Sequence, residues 1–553
     1  MRPIYLIAFL GCATLACNTI QNLITLPTPT PASTEPPNQP TPTSAVPPEL
    51  LSMTALLAER GQPCPPDIAS QFTCISIAVP LDHTNASNSP TLNVVFGVRP
   101  ATGTRQGFFV TATGGPGSAG LYSADTYTDG MPPEIPEHFD IVFFDQRGVG
   151  LSGNIYCAQP VATYYDFEVD TRTSAGELAL AQAAQNFANE CLSELDSELA
   201  RDPQYSAAQW LDLMGTQQAV EDLEAFRQAV GDEKFYLYGE SYGTQFAQTY
   251  AAAHPDHLAG LILDGTVDLT LTGPEYLREQ AQAFNDVLML TLQACNSDSA
   301  CAAAMGADAV TVYDTLAAQL ATAPVSFDYS LSNGDTQTRT FTLSDLELTV
   351  ISDLYSESDR TDFLKALAAA NQGDWIPLAE AHYDLLGLDY DTLELTPDPS
   401  YSDALYYTVE CNDYYYYSGL PDEEAQAYIR EGDSVDATIP RLASAFYGDF
   451  PCAYWPVRPD SDTRPAPFVI PGVPTLVLSA LADPATPYAN GVRVYNRLAD
   501  GYLITKEGGP HIIFGWGFDC PDLIVAAFLV DNKMPDQRET ICSGSVIDPY
   551  PTP

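Results

Sequence analysis

The sequence predicts an α/β protein built on a mostly parallel sheet, and three features of the chain lead to this prediction. Short apolar runs that fit buried strands alternate with longer stretches whose apolar residues recur every three or four positions. Such alternation is typical of βαβ units, which form a parallel sheet with helices on both faces. One apolar run, residues 235–238, leads through a glycine-flanked serine into a helical pattern. Finally, Ala- and Leu-rich helical patterns dominate residues 273–404, which predicts a mainly helical cap inserted into the sheet domain.

The individual elements follow from these periodicities. Sheet strands are predicted at residues 76–81, 92–98, 107–113, 139–144, 235–238, 261–263, 475–479 and 502–505. Helices are predicted at residues 207–230, 245–253, 279–295, 309–320, 362–370, 376–386 and 521–530, and two cap strands at 325–331 and 338–343. The sheet domain is therefore expected to comprise residues 51–272 and, after the cap, residues 405–553.

The serine in the turn is Ser241, within Gly239-Glu-Ser-Tyr-Gly243. A strand, a tight Gly-x-Ser-x-Gly turn and a helix make up the nucleophile elbow of an α/β-hydrolase. Side chains at positions 239 and 243 would collide with the neighbouring strand and helix, so glycine fits there. The helix that follows points its N-terminus at the site, where negative charge develops during acyl transfer. We therefore expect an α/β-hydrolase fold with Ser241 as the nucleophile.

A serine hydroxyl is a weak nucleophile and needs a base that a third group orients. In this fold the chain order is Ser, then Asp or Glu, then His. Of the six histidines, His511 alone follows the last predicted sheet strand. Asp483 is the only carboxylate directly after the preceding strand, in the segment 480–487. The predicted triad is therefore Ser241, Asp483 and His511.

The oxyanion of the tetrahedral intermediate requires two backbone donors. One is expected to be the amide of Tyr242, directly after the nucleophile. The other should come from the loop after the third strand, Thr113-Gly-Gly-Pro-Gly117, where glycines let the backbone approach the substrate. We assign this second donor to Gly115.

Several motifs together resemble one family. They are Gly114-Gly-Pro-Gly117, Asp145-Gln-Arg-Gly-Val-Gly-Leu-Ser152, Gly239-Glu-Ser-Tyr-Gly-Thr244 and Asp483-Pro-Ala-Thr-Pro487. With His511 and the C-terminal cysteine pair, they resemble the prolyl/tripeptidyl aminopeptidase family of α/β-hydrolases, in particular its secreted tripeptidyl branch. The resemblance extends over about residues 64–542. It implies a serine exopeptidase that releases one or a few residues from a free N-terminus.

The resemblance also implies that acidic residues bind the amino group of the substrate. Glu240, Glu410 and Asp413 are the candidates, by their location in the sequence alone.

Three other functions remain open. A serine carboxypeptidase shares the fold and the order of the triad, and its nucleophile motif resembles Gly-Glu-Ser-Tyr. An esterase or lipase is equally compatible with the triad, because the triad alone does not choose the leaving group. A non-catalytic binding protein on the same fold is the third alternative, although such proteins usually lose a member of the triad. The motif at residues 145–152 and the segment 483–487 favour the aminopeptidase.

The charge of the chain excludes several kinds of partner. The 553 residues carry 72 acidic and 22 basic side chains, a net charge of −50. Such a surface repels nucleic acid and anionic lipid. Peptides are the expected substrates, and we expect a monomer. No cysteine or histidine pattern has the spacing of metal ligands, so neither a metal nor another cofactor is expected.

The first residues predict export. Arg2 and the apolar run 4–16 precede Cys17, and residues 1–17 are similar to a bacterial lipoprotein signal with Cys17 as the lipidated residue. Cys12 is an alternative lipidation site. The segment could instead be an ordinary secretory signal or an uncleaved anchor, without a lipid. Residues 18–50 are rich in Pro and Thr and are expected to form an extended tether. The protein should therefore be secreted or held at the bacterial cell surface, and a lipid would be its only membrane contact.

Twelve cysteines, without Cys12 and Cys17, leave ten. An even number in an exported chain favours disulfides. Proximity in the sequence suggests five pairs, although connectivity does not follow from sequence: Cys64–Cys74, Cys157–Cys191, Cys295–Cys301, Cys411–Cys452 and Cys520–Cys542.

Overall fold

A computed structural model of the chain describes residues 53–551 except 154, 168–170, 200–204, 232–233, 397, 460–462 and 466–471. The expected signal segment with Cys17, its alternative Cys12, and the tether lie outside the described residues.

A ten-stranded sheet forms the centre of the molecule, in the order β1-β2-β3-β5-β4-β6-β7-β10-β11-β12. Its strands are β1 (Gln62–Pro63), β2 (Thr73–Pro80), β3 (Thr91–Arg99), β4 (Gly107–Ala112), β5 (Phe139–Asp145), β6 (Phe235–Glu240), β7 (Leu258–Asp264), β10 (Thr475–Ala480), β11 (Gly501–Lys506) and β12 (Glu539–Cys542). The first three strands and the β3–β5 pair are antiparallel, and all the other pairs are parallel. Each predicted strand overlaps an observed one. The predicted fold class is confirmed.

Helices cover both faces of this sheet and form the cap. They are α1 (Met53–Arg60), α2 (Gly120–Gly130), α3 (Glu134–His138), α4 (Ala158–Tyr165), α5 (Ser174–Leu199), α6 (Ala207–Leu211), α7 (Thr216–Ala229), α8 (Tyr242–Ala253), α9 (Gly273–Ser297), α10 (Ser299–Met305), α11 (Ala309–Thr322), α12 (Leu343–Asp353), α13 (Glu357–Asn371), α14 (Ile376–Leu385), α15 (Asp403–Asp413), α16 (Pro421–Asp436), α17 (Tyr488–Arg497) and α18 (Asp519–Asp531). No described helix combines the length and the apolar character that crossing a bilayer requires.

The central strands are buried along their whole length, as expected when helices cover both faces of a parallel sheet. Every residue of β4, β5 and β10 is buried. Side chains alternate between two apolar cores because successive residues of a strand point to opposite faces. Val110 of β4 and Leu237 of β6 join the core on the cap side, whereas Phe109 and Tyr238 join the core on the other face.

The cap begins with α9 and continues through α14, with a hairpin of two antiparallel strands, β8 (Val325–Ser330) and β9 (Thr336–Phe341). Helix α16 also packs against α9, although it follows the predicted end of the cap at residue 404. The predicted domain boundaries themselves stay a prediction.

One predicted helix is wrong. Residues 207–230 form two helices, α6 and α7, with a break between Leu211 and Thr216. Two side chains from elsewhere bind the backbone carbonyls at this break. Asn412 donates to the carbonyl of Leu211 at 2.7 Å, and Arg147 donates to the carbonyl of Leu213 at 2.8 Å. These tertiary hydrogen bonds replace those of a continuous helix, so local periodicity did not reveal the break.

Five disulfides link the ten remaining cysteines in the pairs that were expected from proximity. They are Cys64–Cys74, Cys157–Cys191, Cys295–Cys301, Cys411–Cys452 and Cys520–Cys542. The loops that they close range from 6 to 41 residues, and each bond stabilises the fold by restricting the unfolded chain.

Candidate active site

Ser241 occupies the tight turn between β6 and α8, with φ 53° and ψ −125°. A non-glycine residue rarely adopts a positive φ, and such strain is common at functional sites. The flanking glycines make this turn possible. A Cβ atom at Gly239 would lie 2.2 Å from the carbonyl oxygen of Gly243, and one at Gly243 would lie 2.0 Å from that of Ala112. Only glycine therefore fits at either position.

His511 lies against Asp483, as the order of the two residues in the chain suggested. The Nδ1 atom of His511 is 2.8 Å from Oδ1 of Asp483. A proton on Nδ1 would leave the lone pair of the neutral imidazole on Nε2. This Nε2 atom is buried and has no hydrogen-bond partner among the described residues. The imidazole is thus oriented to accept a proton through Nε2.

The loop after β10 holds the carboxylate of Asp483 in place. Its Oδ1 accepts hydrogen bonds from the amides of Ala485 and Thr486, both at 3.0 Å, and the hydroxyl of Thr486 donates to Oδ2 at 2.7 Å. Asp483 is 3% exposed, so these donors replace the water that a free carboxylate would bind.

Two further residues position the loop of His511. Tyr355, which follows α12 of the cap, accepts the amide of His511 at 2.8 Å, and the two rings meet edge to face at 5.4 Å. Asp264, at the end of β7, accepts the amides of Ile513 and Phe514 at 3.0 and 2.9 Å. The sequence contains a signal for Asp264, in the motif Leu263-Asp-Gly265, but none for Tyr355.

Arg360 of α13 links the cap to the loops of Asp483 and His511. Its guanidinium donates to the carbonyl of Ala482 at 2.6 Å and to that of Gly509 at 2.9 Å, next to Asp483 and two residues before His511. The side chain is fully buried, and this burial lowers the pKa of Arg360 to about 10.

The two expected oxyanion donors border the same space as Ser241. Tyr242 is the first residue of α8, so its amide has no acceptor within the helix. Gly115, with φ 110°, lines both cavities that adjoin Ser241. Gly114 packs so closely that a Cβ atom there would lie 2.9 Å from Cβ of Ser241. The backbone of this loop can therefore approach a carbonyl bound at Ser241.

The larger of the two cavities, the outer cavity, has a volume of about 580 Å³. Ser241 and His511 both lie in its wall. Four carboxylates and four aromatic rings also line it. The carboxylates are Asp129, Glu240, Glu357 and Asp548, and the rings are Tyr127, Tyr355, Trp516 and Phe518. Its lining, all within the described part of the chain, contains neither lysine nor arginine.

The smaller cavity, the inner cavity, shares Ser241 and Gly115 with the outer one. Its volume is about 10 Å³, room for roughly one water-sized group. Glu410 of α15 and Gln280 of α9 line it. One oxygen of each, Oε2 of Glu410 and Oε1 of Gln280, is buried without a hydrogen-bond partner among the described residues.

The three candidates for amine binding have different surroundings. Burial, followed by the nearby carboxylates of Asp449 and Asp413, raises the pKa of Glu410 well above its usual value. Asp413 instead accepts hydrogen bonds from the amide of Thr216 at 3.1 Å and from Gln245 at 2.8 Å. Its pKa is about 6, raised by burial. Both carboxylate oxygens of Asp413 thus already accept hydrogen bonds from the protein, whereas Glu410 faces the inner cavity.

Glu240 faces the outer cavity. Its Oε1 accepts the amide of Gly114 at 3.3 Å, and Oε2 has no hydrogen-bond partner within the residues described. Burial raises the pKa of Glu240 to about 7, against smaller opposing effects of Tyr127 and of the Gly114 amide. Glu240 therefore supports the glycine loop next to Ser241.

Residues 145–152, the most specific motif of the sequence, form a scaffold beneath the site. Asp145 is fully buried and accepts the amides of Leu121 at 2.9 Å and Leu151 at 2.7 Å. Arg147 is also fully buried and pairs with Asp222 through two hydrogen bonds of 2.7 and 2.6 Å. The motif fixes the loop after β5 and does not reach either cavity wall.

The fold also brings together Glu224, His254 and His257, whose potential ligand atoms lie within 4.8 Å of one another. Glu224 already accepts two hydrogen bonds from Arg227, at 2.8 and 2.7 Å. Glu224 is therefore already paired with Arg227, and the two histidines lie at and just beyond the C-terminal end of α8.

Comparison with known proteins agrees with this geometry. A family model described as the alpha/beta hydrolase fold matches residues 109–518. The chain belongs to this family. Serine protease Hip1 of Mycobacterium tuberculosis is 30% identical over 484 residues, covering 84% of this chain and 86% of that protein.

Two further relatives of this α/β-hydrolase have other names. Carboxylesterase B of Mycobacterium tuberculosis is 28% identical over 483 residues, covering 84% of this chain and 85% of that protein. Tripeptidyl aminopeptidase of Streptomyces lividans is 24% identical over 517 residues, covering 88% of this chain and 86% of that protein. These matches confirm the resemblance to peptidases of the α/β-hydrolase fold, and the chain is an enzyme of the serine hydrolase type.

Proposed function

We propose that the protein is an exported serine exopeptidase that releases residues from the free N-terminus of peptides. The observation that carries this proposal is the unpartnered oxygen of Glu410 in the inner cavity, next to Ser241. A buried carboxylate oxygen without a partner is costly unless a ligand completes it. An ammonium group supplies both the charge and the hydrogen bonds, and the unpartnered Oε1 of Gln280 would accept another of its protons.

In the proposed reaction, Oγ of Ser241 attacks the scissile carbonyl and its proton passes to Nε2 of His511. Asp483 stabilises the imidazolium, and the amides of Gly115 and Tyr242 bind the oxyanion. His511 then protonates the leaving amine, and the C–N bond breaks to leave an acyl-enzyme. Water, deprotonated by His511, attacks the ester, and Ser241 takes the proton back.

The two cavities suggest the direction of the bound peptide. His511 lies in the wall of the outer cavity but not of the inner one. The leaving amine must meet Nε2 of His511, so the part of the peptide after the cleaved bond would occupy the outer cavity. The N-terminal ammonium would then lie in the inner cavity, at Glu410. The inner cavity has room for the ammonium group alone, and the name of the Streptomyces relative favours release of three residues.

The charge of the outer cavity weighs against the carboxypeptidase alternative. A serine carboxypeptidase must bind a terminal carboxylate, and the Glu240 position would serve that purpose. Here Glu240 shares the cavity with three further carboxylates, from Asp129, Glu357 and Asp548. Like charges in one cavity disfavour an anionic ligand. An esterase remains the second candidate, because one relative is named a carboxylesterase.

Export, the lipid at Cys17 and the monomeric state belong to the proposal as well. Five disulfides support export, since such bonds persist in oxidising compartments. A Cys17→Ala variant of the full chain should lose lipid labelling and appear in the culture medium. Continued labelling would contradict lipidation at Cys17.

Hydrolysis of paired chromogenic amides tests the function. Alanine, dialanine and trialanine amides with free and with acetylated N-termini would be compared with an alanine ester. We expect turnover only with a free amine, abolished in Ser241→Ala and reduced in Glu410→Gln, and the best length gives the number of residues released. Equal turnover of acetylated amides would contradict the exopeptidase, and turnover of the ester alone would identify an esterase.

A further inference from the structure

The outer cavity contains a charge pattern that general acyl transfer does not require. We propose that it is a subsite for a lysine or arginine side chain of the substrate, on the part of the peptide that leaves with the new amine. This inference rests on the proposed direction of the peptide, since the leaving part begins at His511 in the wall of the outer cavity.

Four separate parts of the chain supply the carboxylates of this subsite. Asp129 comes from the end of α2, Glu240 from the end of β6, Glu357 from the start of α13 and Asp548 from the C-terminal segment. The amide of Asp548 donates to the carbonyl of Glu357 at 3.2 Å, so these two acids are held next to each other. Their convergence gives the cavity a negative potential that attracts a cation.

The two nearby cations are held by other groups outside the cavity lining. Arg360 and Lys506 are the positive groups that act on Glu357. Neither lines the cavity. Arg360 donates to backbone carbonyls, and Nζ of Lys506 lies 4.0 Å from the centre of the Phe518 ring and 3.5 Å from the carbonyl of Ser543.

A solvated acidic surface would be the simpler explanation in a chain of such negative charge, but it does not account for the buried members. Glu240 is 2% exposed and Glu357 is 7% exposed. Oε2 of Glu240 is buried in the cavity wall and makes no hydrogen bond of normal geometry with the described residues, although the side chain of Tyr127 acts on this carboxyl. Leaving a carboxylate in this state is unfavourable, and a bound cation would remove the penalty.

The remaining walls suit the same kind of ligand. Tyr127, Tyr355, Trp516 and Phe518 line the cavity with the carboxylates. Aromatic faces attract ammonium and guanidinium groups and also pack against their aliphatic stems. Acidic and aromatic residues together select a long cationic side chain over a short or an anionic one.

The test uses alanine hexapeptides with one position changed to lysine, ε-acetyl-lysine or norleucine, and mass spectrometry of the products. At one position after the cleaved bond, kcat/KM for lysine should exceed that for norleucine by about five- to tenfold, as for a partly screened ion pair. Acetyl-lysine should behave like norleucine. Added salt should reduce the lysine preference.

Charge variants then locate the effect. Glu357→Gln and Asp129→Asn should each bring the lysine-to-norleucine ratio towards one. Asp256→Asn is the matched control, because it removes the same charge from an exposed residue just beyond the C-terminal end of α8. Asp129 is itself exposed, so Asp129→Asn tests the subsite even if Glu357→Gln fails to fold.

Two results would overturn the subsite. One is a ratio near one in the wild type, or a ratio that neither variant changes. The other is a loss of turnover in both variants on every free-amine substrate, including alanine amides, which would place the N-terminal ammonium in the outer cavity. Cleavage of free and acetylated peptides alike would contradict the exopeptidase only, because the ratio compares peptides with the same N-terminus.

Discussion

The hydroxyl of Thr486 donates to Oδ2 of Asp483 at 2.7 Å, the carboxylate oxygen that His511 does not use. The same hydroxyl oxygen lies 3.4 Å from Nδ1 of His511. One threonine therefore fixes the plane of the carboxylate on which the orientation of the imidazole depends.

Replacing Thr486 by valine should lower kcat without a comparable change in KM. A hydrogen bond to a charged group is worth about 1.5–3 kcal/mol, so kcat should fall by roughly ten- to a hundredfold. Thr486→Ser keeps the hydroxyl and should retain most of the activity. Steady-state kinetics on an alanine amide would measure both. Equal kinetics for the two variants would show that shape, and not the hydrogen bond, matters at this position.

The activity on free amines should depend on the ionisation of Glu410. Burial raises the pKa of Glu410, so this group is neutral at low pH and binds an ammonium only once the pH exceeds the raised pKa. The ratio of kcat/KM for a free-amine ester to that for its acetylated counterpart should therefore rise with pH, and fall again above about pH 8 as the substrate amine loses its proton. Both esters would react at Ser241, so the ratio isolates the effect of the amino group of the substrate. Glu410→Gln should flatten the rise, and an unchanged profile in that variant would contradict amine binding at Glu410.

Glu240 should make the folded state less stable as the pH rises. Its pKa is about 7 in the folded protein and 4.5 without perturbation, so the unfolded chain loses this proton first. The contribution of Glu240 to the free energy of unfolding is fully present below about pH 4.5 and is lost as the pH rises to about 7. The total loss is about 3 kcal/mol. Glu240→Gln removes this titration and keeps an acceptor for the Gly114 amide. In urea unfolding, the variant should gain stability relative to the wild type between pH 4.5 and 8. A constant difference would contradict the raised pKa.

Breaking the buried pair of Arg147 and Asp222 should destabilise the fold strongly. Both side chains are almost fully buried, and removing one partner leaves an uncompensated charge. Asp222→Ala should reduce the free energy of unfolding by about 3–5 kcal/mol. Lys365→Ala is the control, because its ion pair with Asp362 is exposed at both ends and should contribute less than about 1 kcal/mol. Similar losses in the two variants would contradict the scaffold role of the motif at 145–152.

The sequence was sufficient for the parts of the site that local sterics determine. The glycines around Ser241 are required by contacts within the turn and with the adjacent strand, so the pattern itself indicates the turn. The contact between Asp483 and His511 could be predicted because each comes soon after a strand, and parallel strands bring their carboxyl ends to one edge of the sheet.

Residues from the cap could not be assigned in this way. Tyr355 and Gln280 reach the site only through the packing of the cap helices, which no local pattern specifies. Helix α5 was missed although its Ala-, Leu- and Glu-rich sequence itself favours a helix. Phe187 of α5 stacks on Tyr164 at 5.1 Å, and Cys191 is linked to Cys157, so contacts with α4 hold this helix in place.

The guanidinium of Arg360 binds the cap to the loops of Asp483 and His511. Lifting the cap would break three hydrogen bonds to backbone carbonyls outside the cap and expose a buried cation. Movement of the cap would thus also displace the loops that hold Asp483 and His511. We therefore expect substrates to reach Ser241 while the cap stays in place, which favours an unstructured chain end over a folded domain.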